Sequence, residues 1–111
     1  MANTLVPEIN RACIDACADC AEACEACAQD CLGDPAMADC ARLCLDCAVT
    51  CQAGTTLLAR GSAWASRLCQ LCADLCDACA TECERFDTES CQTCARSCRA
   101  CAEQCRAMAA A

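Results

Sequence analysis

The placement of cysteine constrains this chain more than any other feature. All 20 cysteines fall into four groups, within which successive cysteines are three or four residues apart. Because an α-helix has about 3.6 residues per turn, this spacing keeps the side chains on one helical face, whereas a strand needs a spacing of two. The sequence therefore predicts four helices, each with a stripe of thiols. The stripes are Cys13, Cys17, Cys20, Cys24, Cys27 and Cys31; Cys40, Cys44, Cys47 and Cys51; Cys69, Cys72, Cys76, Cys79 and Cys83; and Cys91, Cys94, Cys98, Cys101 and Cys105.

Glycine, proline and capping residues predict where these helices begin and end. Gly33 and Gly61 suit the left-handed position that follows a helix, and Asp34 suits the cap of the next one. Gly54 lies in a run too apolar to be a loop. The expected helices run from Asn3 or Thr4, with Pro7 in the first turn, to Leu32; from Pro35 to about Arg60; from about Ala63 to Arg85; and from Asp87 or Thr88 past Cys105 to terminal alanines that fray.

Connections of only a few residues between long helices favour antiparallel neighbours. The length of 111 residues suits a single core. We therefore predict an all-α chain with one domain over residues 1–111, an antiparallel up-down-up-down four-helix bundle with a cysteine-lined core.

Antiparallel order predicts what meets at each end of the bundle. At one end, apolar side chains are expected to close the bundle as an apolar plug. At the other end, the thiol stripes reach the surface with few apolar residues to cover them, so a ligand is expected to enter there. The expected plug consists of Leu5, Val6, Ile9, Leu57, Leu58, Trp64, Leu68 and Met108. The opposite end contains Cys31, Met37, Cys40, Cys83, Phe86 and Cys91.

A second apolar stripe, Trp64, Leu68, Leu71 and Leu75, is offset from the cysteines of the third helix by one residue. It is thus rotated by roughly 100° from the thiols. Two interpretations remain open: the stripe packs on the flank of the core, or it contacts another subunit.

Composition and charge exclude several functions. A net charge of −8 repels nucleic acid and anionic membrane, and one Trp, one Phe and no Tyr argue against base stacking. The sequence begins without a basic leader and has no apolar run of membrane-spanning length. We expect a cytosolic protein whose thiols stay reduced.

The thiols allow several chemical interpretations. If the cysteines served only as core hydrophobes, with alanine beside them and almost no leucine, the core would be poorly stabilised. Disulfides within one helix would be strained, because Cβ atoms three or four residues apart are about 5–6 Å from one another. The loop spacing of iron–sulfur proteins does not occur. Without histidine, mixed nitrogen–sulfur metal sites are excluded.

Charge favours Cu(I) among the soft metals that thiolates bind. A zinc ion with four thiolates carries a charge of −2, and a buried column of such sites is unfavourable. One Cu(I) per thiolate is neutral, so twenty sulfurs can hold many ions. A cytosolic dithiol/disulfide redox protein and a general thiolate sink for zinc or cadmium remain alternatives.

Several segments resemble the bacterial copper storage proteins. They are the C-x-x-x-C-x-x-C ladders on every helix, the corner Leu57-Leu58-Ala59-Arg60-Gly61-Ser62, and the runs Cys79-Ala80-Thr81-Glu82-Cys83-Glu84 and Cys94-Ala95-Arg96-Ser97-Cys98-Arg99. The resemblance covers nearly the whole chain. It implies a preformed bundle that binds many Cu(I) ions, mostly between pairs of thiolates, for storage or detoxification and without catalysis.

The same resemblance implies a homo-oligomer, often a tetramer, and a cytosolic family member. The protein that would donate copper to this chain is not indicated by the sequence. Family members often carry histidine and methionine at the open end of the bundle. This chain has no histidine, and Met37 is the methionine that remains there, beside Phe86. We therefore include Met37 with the twenty cysteines as an expected metal ligand.

Overall fold

The computed structural model describes residues 5–110. Within this range the chain forms four α-helices and no strand: α1 Arg11–Cys31, α2 Ala38–Arg60, α3 Ala65–Cys83 and α4 Glu89–Ala110. Short 3₁₀ turns, Glu8–Asn10 and Pro35–Met37, precede α1 and α2. The predicted all-α class is confirmed.

The helices form an antiparallel bundle in which each helix packs against two neighbours. α1 packs against α2 and α4, and α3 packs against the same two helices. The molecule measures 43 × 28 × 17 Å along its principal axes. Every thiol stripe turns inward, and buried alanines such as Ala48, Ala73 and Ala80 allow the helices to approach closely. No helix in the described part of the chain is both long and apolar enough to span a membrane.

The predicted turn chemistry is present between the helices. Gly33 and Gly61 have φ angles of +89° and +66°, in the region that glycine adopts without steric penalty. The carboxylate of Asp34 accepts a hydrogen bond from the backbone N–H of Ala36 at 3.0 Å. At the start of α4, the hydroxyl of Thr88 accepts from the backbone N–H of Cys91 at 3.2 Å, so Thr88 provides the cap.

The start of the first helix differs from the prediction. Asn3 and Thr4, the expected caps, lie outside the described residues. Pro7 has an extended backbone with ψ 124°, so the helical conformation begins only after it, and α1 starts at Arg11. At the other end, α4 continues to Ala110, the last described residue.

The predicted apolar plug is only partly correct. We call this end of the bundle the closed pole, defined by Asn10, Leu58, Ala65 and Met108. Leu58 is 1% exposed, but Leu5, Ile9 and Trp64 are 88%, 80% and 64% exposed. The late start of α1 explains the first two, since Leu5 and Ile9 precede the helix and do not share its inward face. Trp64 precedes α3 in the same way, and its ring lies under the guanidinium of Arg67.

The second stripe of α3 lies outside the thiol core. Leu71 is half exposed, Trp64 is exposed, and Leu68 and Leu75 are partly buried. The stripe is therefore an apolar surface feature of the single chain.

Candidate metal centre

All twenty thiols lie in the interior of the bundle. None is more than 2% exposed, and all are free cysteines. The closest sulfur pairs are 3.5 Å apart, whereas a disulfide bond is about 2.05 Å long. The core is therefore a continuous array of separate thiols.

Helices α1 and α4 face each other through a regular ladder of cysteine pairs. Each step of three or four residues forward along α1 is matched by an equal step backward along α4, as antiparallel helices require. The sulfur–sulfur distances in these pairs are 3.6 or 3.7 Å. The pairs, which we call rungs, are Cys13–Cys105, Cys17–Cys101, Cys20–Cys98, Cys24–Cys94 and Cys27–Cys91.

Helices α2 and α3 face each other through a second ladder, in which steps forward along α2 are again matched by equal steps backward along α3. Its sulfur–sulfur distances run from 3.5 to 3.7 Å. The rungs are Cys40–Cys83, Cys44–Cys79, Cys47–Cys76 and Cys51–Cys72.

The two ladders are close enough to share ions. Cys20 of the first ladder lies 3.9 Å from Cys47 and 4.0 Å from Cys76 of the second. Near the closed pole, Cys51 lies 3.9 Å from Cys101. Groups of four buried sulfurs lie within 4.8 Å of one another, for example Cys20, Cys24, Cys47 and Cys98. The sulfurs thus form one connected column along the bundle.

Two cysteines have no rung partner across the bundle. Continuing the first ladder one step beyond Cys27 places Asp87, in the turn before α4, opposite Cys31. Continuing the second ladder one step beyond Cys72 places Gly54 opposite Cys69. Gly54 is buried, and a Cβ atom there would lie 3.3 Å from the sulfur of Cys17. The missing side chain therefore leaves space beside Cys17.

Burial determines the protonation of the thiols farthest from the closed pole. Loss of hydration is the largest cause that raises the pKa of Cys31 and of Cys91. The same cause raises the pKa of Cys40 from 9.0 to about 12. These thiols are therefore protonated at neutral pH in the metal-free protein, and a metal that binds them must displace protons.

The sulfur spacing suits metal ions held between thiolates. With a bond of about 2.3 Å, as for zinc and sulfur, two sulfurs in a tetrahedral site are roughly 3.8 Å apart and two collinear ligands roughly 4.6 Å apart. The rungs therefore hold a bent or multiply coordinated ion with little movement, and a linear one if they open by about 1 Å. One Cu(I) per thiolate leaves the core neutral, which avoids the energy of burying charge.

The end of the bundle opposite the closed pole is better covered than the sequence suggested. We call it the thiol pole, defined by Cys31, Met37, Cys40, Cys83, Phe86 and Cys91. Met37 is 8% exposed, and the sulfur-bearing residues Cys40, Cys83 and Cys91 have no exposed area. Phe86 is partly buried against the core. The expectation of little sealing is therefore wrong, because both apolar residues continue the inward stripes by one step of three residues.

Sequence reasoning placed all twenty cysteines correctly but missed a polar residue at the closed pole. Asn10 is 7% exposed, and its side-chain amide donates a hydrogen bond to the carbonyl oxygen of Leu58 at 2.9 Å. The signal was present, since Asn10 precedes Cys13 by three residues and thus lies on the same stripe. Gly54 likewise follows Cys51 by three residues on the stripe of α2.

Comparisons with known proteins agree with this geometry. The family model described as copper storage protein matches residues 7–110. The apo form of copper storage protein 3 from Bacillus subtilis is 44% identical, with a TM-score of 0.86 over 90% of this chain and 98% of that one. The Cu(I)-bound copper storage protein BsCsp3 is 42% identical, with a TM-score of 0.88 over 92% and 99%.

A third solved structure is similar to the same degree. It is a cytosolic copper storage protein from Streptomyces lividans with five coppers, 38% identical, with a TM-score of 0.85 over 94% of each chain. A search of curated protein sequences finds no match.

Proposed function

Because the chain belongs to the copper storage protein family, we propose that it stores many Cu(I) ions on the thiolates of its core, as a single domain. The observation that carries this proposal is the unbroken column of sulfurs, in which rungs of 3.5 to 3.7 Å follow one another along both ladders. A catalytic metal site needs a few ligands and an open position, whereas this column provides many equivalent ligands and no open face. Its role is binding rather than catalysis.

The proposed ligands are the cysteines of both ladders, the two cysteines without rung partners, and the thioether of Met37. Similarity to Cu(I)-bound BsCsp3 supports copper as the cargo, and soft sulfur ligands select Cu(I) over harder cations. The S. lividans relative is described as cytosolic, and we propose the same compartment for this chain, where thiols are kept reduced.

The direct test is a titration of reduced, metal-free protein with Cu(I) under anaerobic conditions, with a competing chromogenic chelator that reports free copper. We expect no colour from the copper complex of the chelator until many ions per chain have bound, a number approaching that of the cysteines. Saturation after one to four ions would contradict the proposal and favour zinc-type sites. Binding that begins only after disulfides are reduced would favour a redox protein.

We also propose that the chain forms a homo-oligomer through the apolar surface stripe of α3. Trp64 and Leu71 expose 64% and 50% of their areas, and a flat apolar helix face suits a second copy of itself. Light scattering after size-exclusion chromatography tests this proposal. Leu71→Glu is expected to yield monomers, whereas the control Glu22→Ala, on the exposed face of α1, is not; an unchanged mass for Leu71→Glu would contradict it.

A further inference from the structure

The axial end of the bundle at the thiol pole is covered by side chains. At the thiol pole, Met37 and Phe86 cover the axial end, and Cys40, Cys83 and Cys91 have no exposed area. An ion that arrives along the axis therefore meets the ring of Phe86 and the thioether of Met37 but no exposed thiol.

A second approach to the core exists at the turn between α1 and α2. A surface cavity of about 350 Å³ lies there, and Cys31 forms part of its wall. Its other walls include the small side chains of Ala38 and Ala41. Gly33 also lines the cavity, and a Cβ atom built there would meet nothing within 4 Å, which shows open space beside it. The cavity is large enough for a small metal complex.

Cys31 combines two features. It belongs to the wall of this cavity, and, like Cys69, it has no rung partner. Its sulfur is therefore free to bind a first ligand from outside without opening a rung. Its neighbours in the core, Cys27 and Cys40, each belong to a rung, so an ion can pass from Cys31 to either ladder.

Resting on the proposed storage function, we infer that Cys31 is the first ligand for Cu(I) that arrives as a complex with thiolates, through the cavity at the α1–α2 turn. The step is a ligand exchange. The sulfur of Cys31 forms a bond to Cu(I), one donor thiolate leaves, and the proton of the Cys31 thiol passes to that leaving group. A second exchange at Cys40 or Cys27 releases the remaining donor thiol, and copper stays in the Cu(I) state throughout.

The test compares two neighbouring positions near the end of α1. Stopped-flow absorbance follows Cu(I) transfer from its glutathione complex to reduced protein. We expect Cys31→Ala to transfer copper about tenfold more slowly, because a pre-positioned ligand makes exchange effectively intramolecular. Gln29→Ala, the control with an exposed side chain two residues earlier, is expected to transfer at the rate of the unaltered protein.

A second pair of variants tests the cavity without removing a thiol. Ala38→Phe fills the cavity and is expected to slow transfer, whereas Ala26→Phe, on the exposed face of α1, is not. Phe86→Ala opens the axial end and is expected to leave the rate unchanged. Circular dichroism confirms that each variant is folded before its rate is compared.

The outcomes separate this inference from the storage function. If Cys31→Ala and Gln29→Ala transfer at equal rates, or if Phe86→Ala accelerates transfer while Ala38→Phe has no effect, entry at Cys31 is wrong although storage stands. If the unaltered protein binds only one to four ions, the storage function itself fails. The measurement is then repeated with a Cu(I)-loaded CxxC peptide as the donor. Slower transfer to Cys31→Ala from this peptide as well would show that peptide donors also deliver copper at Cys31, whereas an effect limited to glutathione would show that only small thiol complexes do.

Discussion

At the scale of single residues, Gly54 shows how an absent side chain shapes the metal centre. It occupies a position on the inward stripe of α2 where the spacing would place another cysteine, opposite Cys69. A Cβ atom there would lie 3.3 Å from the sulfur of Cys17, tighter than an ordinary van der Waals contact. Glycine therefore leaves the thiol of Cys17 room to move, which the proposed binding of an ion there requires.

The variant Gly54→Ala is expected to lower copper capacity while the metal-free protein stays helical. Alanine favours the helix by about 1 kcal/mol over glycine, which offsets the tighter packing, but the methyl group restricts the sulfur of Cys17. Chelator titration measures the capacity, and circular dichroism measures the helix content. The control is Gln52→Ala, on the exposed face of the same helix, and full capacity in Gly54→Ala would contradict this role.

The protonation of the buried thiols predicts a pH dependence of the metal-free protein. Burial raises the pKa of Cys40 from 9.0 to about 12, so this thiol stays protonated in the folded state after its unfolded counterpart has ionised. Stability is therefore retained below about pH 9 and lost as the pH rises toward 12.

Urea unfolding of reduced, metal-free protein between pH 8 and pH 11 measures this dependence. We expect the free energy of unfolding to fall across that range. A constant or rising free energy would show that the thiols of the thiol pole ionise as readily in the folded protein as in the unfolded chain.

At the scale of elements, a buried hydrogen bond connects the residue before α1 to the last turn of α2. The amide of Asn10 donates to the carbonyl oxygen of Leu58, in the last turn of α2, and Asn10 immediately precedes α1. The carbonyl oxygen of Leu58 also accepts from the backbone N–H of Gly61 at 3.1 Å, so loss of Asn10 removes one of its two hydrogen bonds and leaves the other. The contact therefore fixes how α1 enters the bundle.

Replacing Asn10 with alanine is expected to destabilise the metal-free protein by about 0.5–1.5 kcal/mol, the net contribution of one hydrogen bond. Urea denaturation followed by circular dichroism provides the measurement. Glu8→Ala, which changes an exposed side chain of the same 3₁₀ turn, serves as the control and is expected to have a negligible effect. Equal unfolding midpoints for the two variants would contradict the structural role of Asn10.

The elements were predictable from the sequence to different degrees. The thiol spacing fixed the four helices and their inward faces, and Gly33, Gly61 and Asp34 fixed the turns, because these signals are local. The start of α1 was not predictable in this way, since Pro7 is compatible with either a first helical turn or an extended segment. The pairing of Cys31 and Cys69 with non-cysteine positions depends on the register between helices, which a single stripe does not reveal.

At the scale of the whole molecule, copper is expected to raise the free energy of unfolding as well as to occupy the thiol core. A core of alanine and cysteine buries little apolar surface per residue, and metal bound to ordered ligands contributes its binding free energy to the folded state. Free copper at about 1,000 times the dissociation constant of one site adds about 4 kcal/mol.

Differential scanning calorimetry under anaerobic conditions measures this stabilisation. The melting temperature is expected to rise stepwise as Cu(I) is added to reduced protein. A melting temperature that does not change between the metal-free and the loaded protein would mean that the ions bind without linking the helices, which contradicts coordination between rungs.

The arrangement of the two ladders has a topological consequence for the loaded chain. Turns join α1 to α2, α2 to α3 and α3 to α4, but no turn joins α4 back to α1. The rungs from Cys13–Cys105 to Cys27–Cys91 lie across that gap. With copper bound in these rungs, as proposed, metal–sulfur bonds join α4 directly to α1 and close the four helices into a ring, so that separating α1 from α4 requires breaking coordination bonds as well as packing contacts.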